Sequence, residues 1–331
     1  MLGSKQITDL LRTKWAGCNI VYKDITGSTN DDAKELAAAG AVHGTLVVAD
    51  RQDTGRGSRG RSWETPAGSN IAMSLIVRPS IPIDRVSMLT LVMGLSVAEG
   101  VDAAVIETGC SVDDSAAGEV ESVGAGIATT DVCIDALGDG SGCGIKWPND
   151  VVLEGRKICG ILTELHMNPD GTIGDVVIGV GINVNMKAED FDDSIREFAG
   201  SLLTGTGRRT YRSLVVARVM ERFEANYEKF VESSDLSQLK DQYEARLVNR
   251  DREVMLVNGD RTPEVAGKEA VEQCFAEYPE RGAEDRFCEC EERGMAIGIS
   301  DMGALRVRMD SGMIREVNAG EVSVRGLYGY V

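Results

Sequence analysis

Nine residues, Gly55-Arg56-Gly57-Ser58-Arg59-Gly60-Arg61-Ser62-Trp63, place three glycines, three arginines and a tryptophan in one loop. Glycine exposes backbone N–H groups and lets a ligand approach the chain closely. Arginine adds a permanent, forked cation that suits phosphate or carboxylate. The Trp63 indole offers a flat face to a ring system. The chain as a whole carries a formal net charge of −18. A cationic loop in such a chain points to a small phosphate-bearing ligand, not to general attraction for polyanions. The loop spells Gly-x-Gly-x-x-Gly after a strand, but no helix is expected to open at Gly60, so a dinucleotide fold does not follow. Nor does a Gly-Lys-Ser/Thr follow to make it a nucleotide P-loop.

Three further groups carry chemistry. In Lys146-Trp147-Pro148-Asn149-Asp150 the proline fixes the turn and biases Trp147 toward an extended conformation. Lys146 can place a point charge on a phosphate or carboxylate, and Asp150 can support Lys146 or help hold a magnesium ion. Taken alone, a surface turn with an ordinary lysine explains the same string. In Gly179-x-Gly181-Ile182-Asn183-Val184-Asn185 the small residues allow a ring to approach the backbone, and Asn183 suits an adenine edge. A buried strand with a bulge accounts for it equally. Ser28, Thr29 and Asn30 with Gln52 form a fourth polar group, although Ser28 serves equally well as a helix cap. Four such groups in this order are much harder to attribute to chance than any one.

The elements that must position these residues follow from periodicity and turn chemistry. A helix is predicted over 31–39, capped by Ser28 or Thr29, favoured by Asp31 and Asp32 and stopped by Gly40. Strands are predicted over 45–49, 70–77, 144–148, 151–153, 157–166 and 176–184, and helices over 86–101, 211–231 and 236–247. The result is an α+β fold with a mixed sheet rich in hairpins, not a regular alternation of strand and helix. After Asn249 the pattern changes to short strands over 253–257, 295–299, 304–309, 313–316 and 322–324. We therefore divide the 331 residues into a domain over 1–248 and a small all-β domain over 249–331. Two acid-rich segments, about 101–142 and 258–294, read as solvated insertions. The first holds nine acidic residues and no Lys or Arg.

Composition excludes several classes. Hydrophobic residues make up 43% of the chain, enough for a sizeable core, and no 18-residue run is uninterruptedly apolar. Lys5, Asp9, Arg12 and Lys14 break any signal-peptide core, so a cytoplasmic location is expected. Eight cysteines and two histidines show no metal-ligand spacing, and free thiols are expected.

Taken together, Ser28-Thr29-Asn30, Gln52, the loop ending at Trp63, Lys146 to Asp150, Lys157-Ile158-Cys159-Gly160-Ile161-Leu162-Thr163-Glu164 and Gly179 to Asn183 resemble the biotin protein ligases. The likeness runs from about residue 15 to the C-terminus, outside the two acidic segments. It implies the class II aminoacyl-tRNA synthetase-like mixed sheet of that family with a small C-terminal SH3-like barrel. It implies that biotin's carboxylate attacks the α-phosphate of ATP to give biotinyl-5′-AMP, which a lysine of a carboxylase carrier domain then takes up. By the same resemblance Ser28, Thr29, Asn30, Gln52, Gly55, Arg56, Gly57, Lys146 and Gly160 would contact biotin. Arg56, Arg59, Gly60, Arg61, Trp63, Lys146, Asn149 and Asn183 would contact ATP or the adenylate, with Trp63 and Asn183 at the adenine. Lys146, Arg56, Arg59 and Arg61 would carry the charge stabilisation, with magnesium, through Asp150, on the phosphates and no tightly bound prosthetic group. A homodimer through the central sheet, as in many relatives, is compatible with it. No DNA or membrane partner is expected. Only 27 residues precede Ser28, so no repressor domain is expected either.

The resembled loop usually reads Gly-Arg-Gly-Arg, and Ser58 stands where its second arginine would be. One cation fewer weakens the hold on an anionic intermediate. A Ser58→Arg variant is expected to release biotinyl-AMP more slowly than the wild type in a trapping assay; equal release would refute the point.

Overall fold

The structure is a computed structural model, and it describes residues 2–57, 62–110, 142–258, 291–319 and 322–326. The chain divides into two units, Met1–Val248 and Asn249–Val331.

The larger unit is built on one sheet. Its strands are β1 (Asn19–Thr26), β2 (Thr45–Gln52), β3 (Ile71–Val77), β4 (Gly144–Lys146), β5 (Asp150–Leu153), β6 (Arg156–Met167) and β7 (Ile173–Ile182), in the order β1-β2-β3-β7-β6-β5-β4. β1 and β2 run parallel, and the other neighbours are antiparallel. The mixed, hairpin-rich sheet is the one expected. β3 is buried along its whole length, as its unbroken apolar run requires in the middle of a sheet. β1 was not foreseen. Lys23 and Asp24 interrupt its apolar pattern, which an edge strand tolerates because only one side is paired.

The helices are α1 (Ser4–Thr8), α2 (Thr29–Ala38), α3 (Leu89–Cys110, entered through a 3₁₀ turn over Ile83–Met88), α4 (Leu202–Thr206), α5 (Arg212–Ser233) and α6 (Lys240–Arg246). α2 lies on one face of the sheet, where Ala33 and Ala37 pack on Val47, Ile76 and Val177. α3 lies on the other, with Gly94 facing Ile145 and Ile161 and with Thr90 hydrogen-bonded to Thr163. The segment Ile83–Gly109 is long and apolar enough to cross a membrane, yet 67% of its apolar window is buried inside the fold.

Two boundaries move. The first acidic segment was expected to leave the fold at about residue 101, but α3 continues to Cys110, with Val101 and Ala104 buried. The apolar period simply runs on, and Asp102 is not solvated: its carboxylate accepts the Cys143 N–H (2.9 Å) and pairs with Arg246 (2.6 Å). The second segment was expected to end at 294, but β9 (Glu291–Ile299) already begins at Glu291. The remainder of both segments, 111–141 and 259–290, lies outside the described residues. Among the described cysteines Cys18, Cys143 and Cys159 are free, and burial pushes the Cys143 and Cys159 thiols up.

The smaller unit is antiparallel: β8 (Arg252–Asn258), β9, β10 (Leu305–Met309), β11 (Ile314–Val317) and β12 (Val322–Gly326), in the order β11-β10-β9-β8-β12. Among its described residues Val254, Leu256, Ala296, Ile299, Ala304, Leu305, Val307 and Val317 are buried hydrophobics. This is the small SH3-like sheet the sequence implied.

Behind β1 and β2, the segment Lys14–Ala16 is tied to α5. The Glu224 carboxylate accepts the backbone N–H groups of Lys14, Trp15 and Ala16 at 2.7–3.0 Å. Trp15 packs at a tilt against His43 and edge-on against Tyr227. His43 Nδ1 accepts the Arg78 backbone N–H at 2.9 Å, so the neutral imidazole is the form that fits. Burial, then the Arg78 charge, pushes the His43 pKa below its ordinary 6.5. The unfolded chain therefore binds the proton more readily, and stability rises with pH in this range. The contribution of His43 should be fully present above pH 6.5 and lost as the pH falls through the lower folded value. Urea midpoints between pH 7.5 and 5 should fall for the wild type by more than for His43→Gln.

Candidate active site

A row of small residues crosses the sheet. Ala72 of β3 stands opposite Gly181 of β7, Gly181 opposite Gly160 of β6, and Gly160 opposite Asp150 of β5. The adjacent row on the same face is Ser74, Gly179 and Leu162. Residues two apart on a strand share a face, so the rows form a trough beside α2, which occupies the same face. A cavity opens there to solvent, lined by residues of α2, β2, β6 and β7 and of the glycine-arginine loop.

One end of the cavity is neutral and polar. Ser28, Thr29 and Asn30 are each 5% exposed or less, and with Gln52 they line this end. Gln52 Oε1 accepts the Thr29 N–H (2.8 Å) and the Thr29 hydroxyl (3.0 Å). Gln52 thus satisfies one of the open N–H groups at the start of α2. Ser28 occupies the cap position, but its side chain makes no capping hydrogen bond. Ser74 donates to Asn30 Oδ1 (2.6 Å) and lies 2.8 Å from Thr29 Oγ1. Asn30 Nδ2 donates to Glu164 (2.7 Å), and Glu164 pairs with Lys34 (2.6 Å).

The other end is cationic and aromatic. Trp63 lies across the trough, so close to Gly181 that a Cβ there would overlap the indole. Its backbone N–H closes the loop on the Gly55 carbonyl at 2.9 Å. Lys157 Nζ stands 5.6 Å from the Trp63 ring centroid and 2.6 Å from Asp150 Oδ1. Arg56 lines the cavity and pairs with Asp31 at 2.5 Å. The Asp31 hydrogen bond raises the Arg56 pKa further above its ordinary value. Partial burial opposes ionisation of Asp31, but the hydrogen bonds and charges of Arg56 and Lys34 outweigh it and hold the carboxyl below the usual aspartate value.

The structure brings Ser28, Thr29, Asn30, Gln52, Arg56, Gly57, Trp63, Asn149 and Gly160 of the expected set to one cavity. Ile161, Leu162, Gly179, Val180 and Gly181 complete the lining with Lys157. Four expected residues stand elsewhere. Gly55 closes the loop behind Trp63. Asn183 is buried outside the described lining, its Oδ1 accepting from Asn70 (3.0 Å) and its Nδ2 donating to the Gly200 carbonyl (3.0 Å). Asp150 pairs with Lys157 outside the lining. Lys146 lies on edge strand β4, beyond Asp150 in the cross-strand row.

The lysine of the described lining is therefore Lys157, to which the motifs above assign no role. A register shift explains its position: Val151 pairs with Cys159, but Val152 pairs with Lys157. Ile158 is the extra residue of a bulge on β6. In a regular strand Lys157 and Gly160 would face opposite sides, and one extra residue restores them to the same side. Nothing in the local sequence announces a bulge there. Arg59, Gly60 and Arg61, with Ser58, lie outside the described residues.

A mixed seven-stranded sheet carrying the trough, together with a separate five-stranded antiparallel sheet, defines the class of fold. The chain matches the model of the biotin/lipoate A/B protein ligase family over residues 22–183 and that of the biotin protein ligase C-terminal domain over 292–325. It belongs to the biotin protein ligase family. The bifunctional ligase/repressor BirA of Bacillus subtilis is 35% identical over 230 residues, covering 70% of this chain and 60% of that protein. The biotin–[acetyl-CoA-carboxylase] ligase of Mycobacterium tuberculosis is 31% identical over 213 residues, 64% of each chain. The chain thus spans about 60% of the length of the Bacillus relatives it matches. Among solved structures, the biotin protein ligase of Aquifex aeolicus in complex with biotin and ATP shares the fold with a TM-score of 0.65 at 24% identity, covering 93% of this chain and 99% of that one.

Proposed function

We propose that the chain is an ATP-dependent biotin protein ligase that forms biotinyl-5′-AMP and transfers biotin to a lysine of a carboxylase carrier domain. The observation that carries this is a single cavity with two chemically distinct ends. Hydroxyls and amides at Ser28, Thr29, Asn30 and Gln52 suit a ureido ring, which both donates and accepts hydrogen bonds. They suit the apolar dithiolane of lipoate poorly. Arg56 and Lys157 at the other end suit a carboxylate and a phosphate.

The proposed chemistry needs no enzyme nucleophile. A carboxylate oxygen of biotin attacks the α-phosphorus of ATP and pyrophosphate leaves. The lysine amine of the carrier then attacks the acyl carbon and AMP leaves. The protein must hold two anions in line and stabilise charge that grows on the phosphoryl oxygens. Arg56 and Lys157 are placed for that, and the loop arginines Arg59 and Arg61 add to it by family resemblance. The described residues do not form a cage for the magnesium expected at Asp150. No cluster of three or more acidic, cysteine or histidine side chains occurs among them, and Asp150 is held by Lys157. The net charge of −18 disfavours DNA as a partner.

Incubation with biotin, ATP, magnesium and a purified biotin carrier domain, followed by mass spectrometry, tests the proposal. The expected result is a gain of one biotin that is lost in Lys157→Ala. Tight biotin binding with no transfer would indicate a biotin sensor, and neither binding nor transfer would remove the ligand assignment.

A further inference from the structure

Both described cations of the cavity are held by carboxylates of the chain itself, Lys157 by Asp150 and Arg56 by Asp31. We propose that Asp31 is a positioning residue that competes with the ligand's anion for Arg56, and thereby shortens the time for which an acyl-adenylate stays bound. The inference rests on the ligase reading above and adds a residue that does not line the cavity.

The two ion pairs differ in kind. Asp150 and Lys157 are largely covered, with side chains 16% and 22% exposed, whereas Asp31 and Arg56 are 48% and 46% exposed. A half-exposed pair is weak and exchanges readily. Asp31 stays ionised throughout the neutral range, because Arg56 and Lys34 both favour its charge and the start of α2 adds a favourable dipole. It is thus a standing competitor for Arg56.

The exchange has a built-in substitute partner. Lys34 Nζ lies 3.4 Å from Asp31 and 2.6 Å from Glu164. When Arg56 turns to the carboxylate or phosphate of a ligand, Asp31 keeps Lys34 and no carboxylate is stranded. Without that second cation the ion pair would resist opening more strongly, since an abandoned charge carries its own penalty. Lys34 also reaches Asn30 through Glu164. The polar end of the cavity and the Arg56 switch are therefore parts of one chain of contacts.

The experiment follows the dissociation of preformed biotinyl-adenylate from wild type, Asp31→Asn, Arg56→Ala and the double variant. Asp31→Asn should slow release about two- to fivefold, the range carried by exposed ion pairs. The same substitution should have no effect in the Arg56→Ala background, and Asp31→Glu should behave as the wild type. Biotinol, the uncharged alcohol analogue of biotin, should bind wild type and Asp31→Asn equally. Unchanged or faster release from Asp31→Asn would overturn the proposal, as would an equal change in biotinol affinity, which marks a merely structural role. Should Asp31→Asn not fold, Asp31→Ser carries the same test. A wild type that binds no biotinyl-adenylate would overturn the ligase reading and this inference with it, whereas normal binding with no effect of Asp31→Asn would overturn this inference alone.

Discussion

Lys157→Ala should lower the rate of adenylate formation by about 10²- to 10³-fold, the usual effect of removing one preorganised donor from a developing phosphoryl or acyl oxyanion. Lys157 is the one lysine of the described lining, and Arg56 the one described arginine. A half-exposed arginine shared with Asp31 cannot replace a covered lysine fixed against Asp150 and the Trp63 ring. The loss should appear in pyrophosphate release during the first half-reaction. Transfer from added biotinyl-AMP to the carrier should suffer less, because the phosphoryl charge has already formed and settled. Lys157→Arg should recover part of the rate, limited by the planar guanidinium against Gly160. Lys146→Ala should cost less than Lys157→Ala, since Lys146 lies on β4 outside the described lining. Equal losses for Lys146→Ala and Lys157→Ala would refute the assignment of the cavity cation.

The comparison of Lys146 with Lys157 also shows where local sequence stops being informative. Periodicity and turn residues located the mixed sheet, α2, α5 and the strands of the smaller unit, because each such signal lies within a dozen residues. Sequence order likewise singled out Ser28 to Asn30, Gln52 and Arg56, which meet because β2 and α2 lie side by side. What could not be read was parity. Whether Lys157 shares a face with Gly160 depends on one extra residue at Ile158, and that is settled by pairing with β5 and not by the string around Lys157. Asn183 is a related case. An asparagine after a buried strand is as able to close a core network with Asn70 as to meet a ligand, and only the position of Asn70, 113 residues away in sequence, decides it. Acidic composition misled for the end of α3, where Asp102 is buried by its partners and not exposed by its charge.

Gly179→Ala should raise the KM for biotin by about 10- to 100-fold with a much smaller change in kcat. A Cβ at this central position of β7 would clash with Asn30 Oδ1 and come within 2.9 Å of Asn30 Nδ2. The amide would have to leave Ser74 and Glu164, its partners at 2.6 and 2.7 Å. Leaving buried polar groups unpaired costs about 1–3 kcal/mol, and a displaced Asn30 would swing into the space where the ring of biotin is proposed to lie. The strand cannot retreat instead, because β7 is paired with β3 on one side and β6 on the other. The damage falls on ring recognition and not on the cations, so KM should move more than kcat. A double variant isolates the cause. If the added methyl acts by displacing Asn30, then Gly179→Ala combined with Asn30→Ala should be no worse than Asn30→Ala alone, since the truncated side chain leaves room for the methyl. Full additivity of the two losses would show that alanine at 179 acts through the sheet, and Asn30 would then have to be dropped from the biotin-recognising end of the cavity.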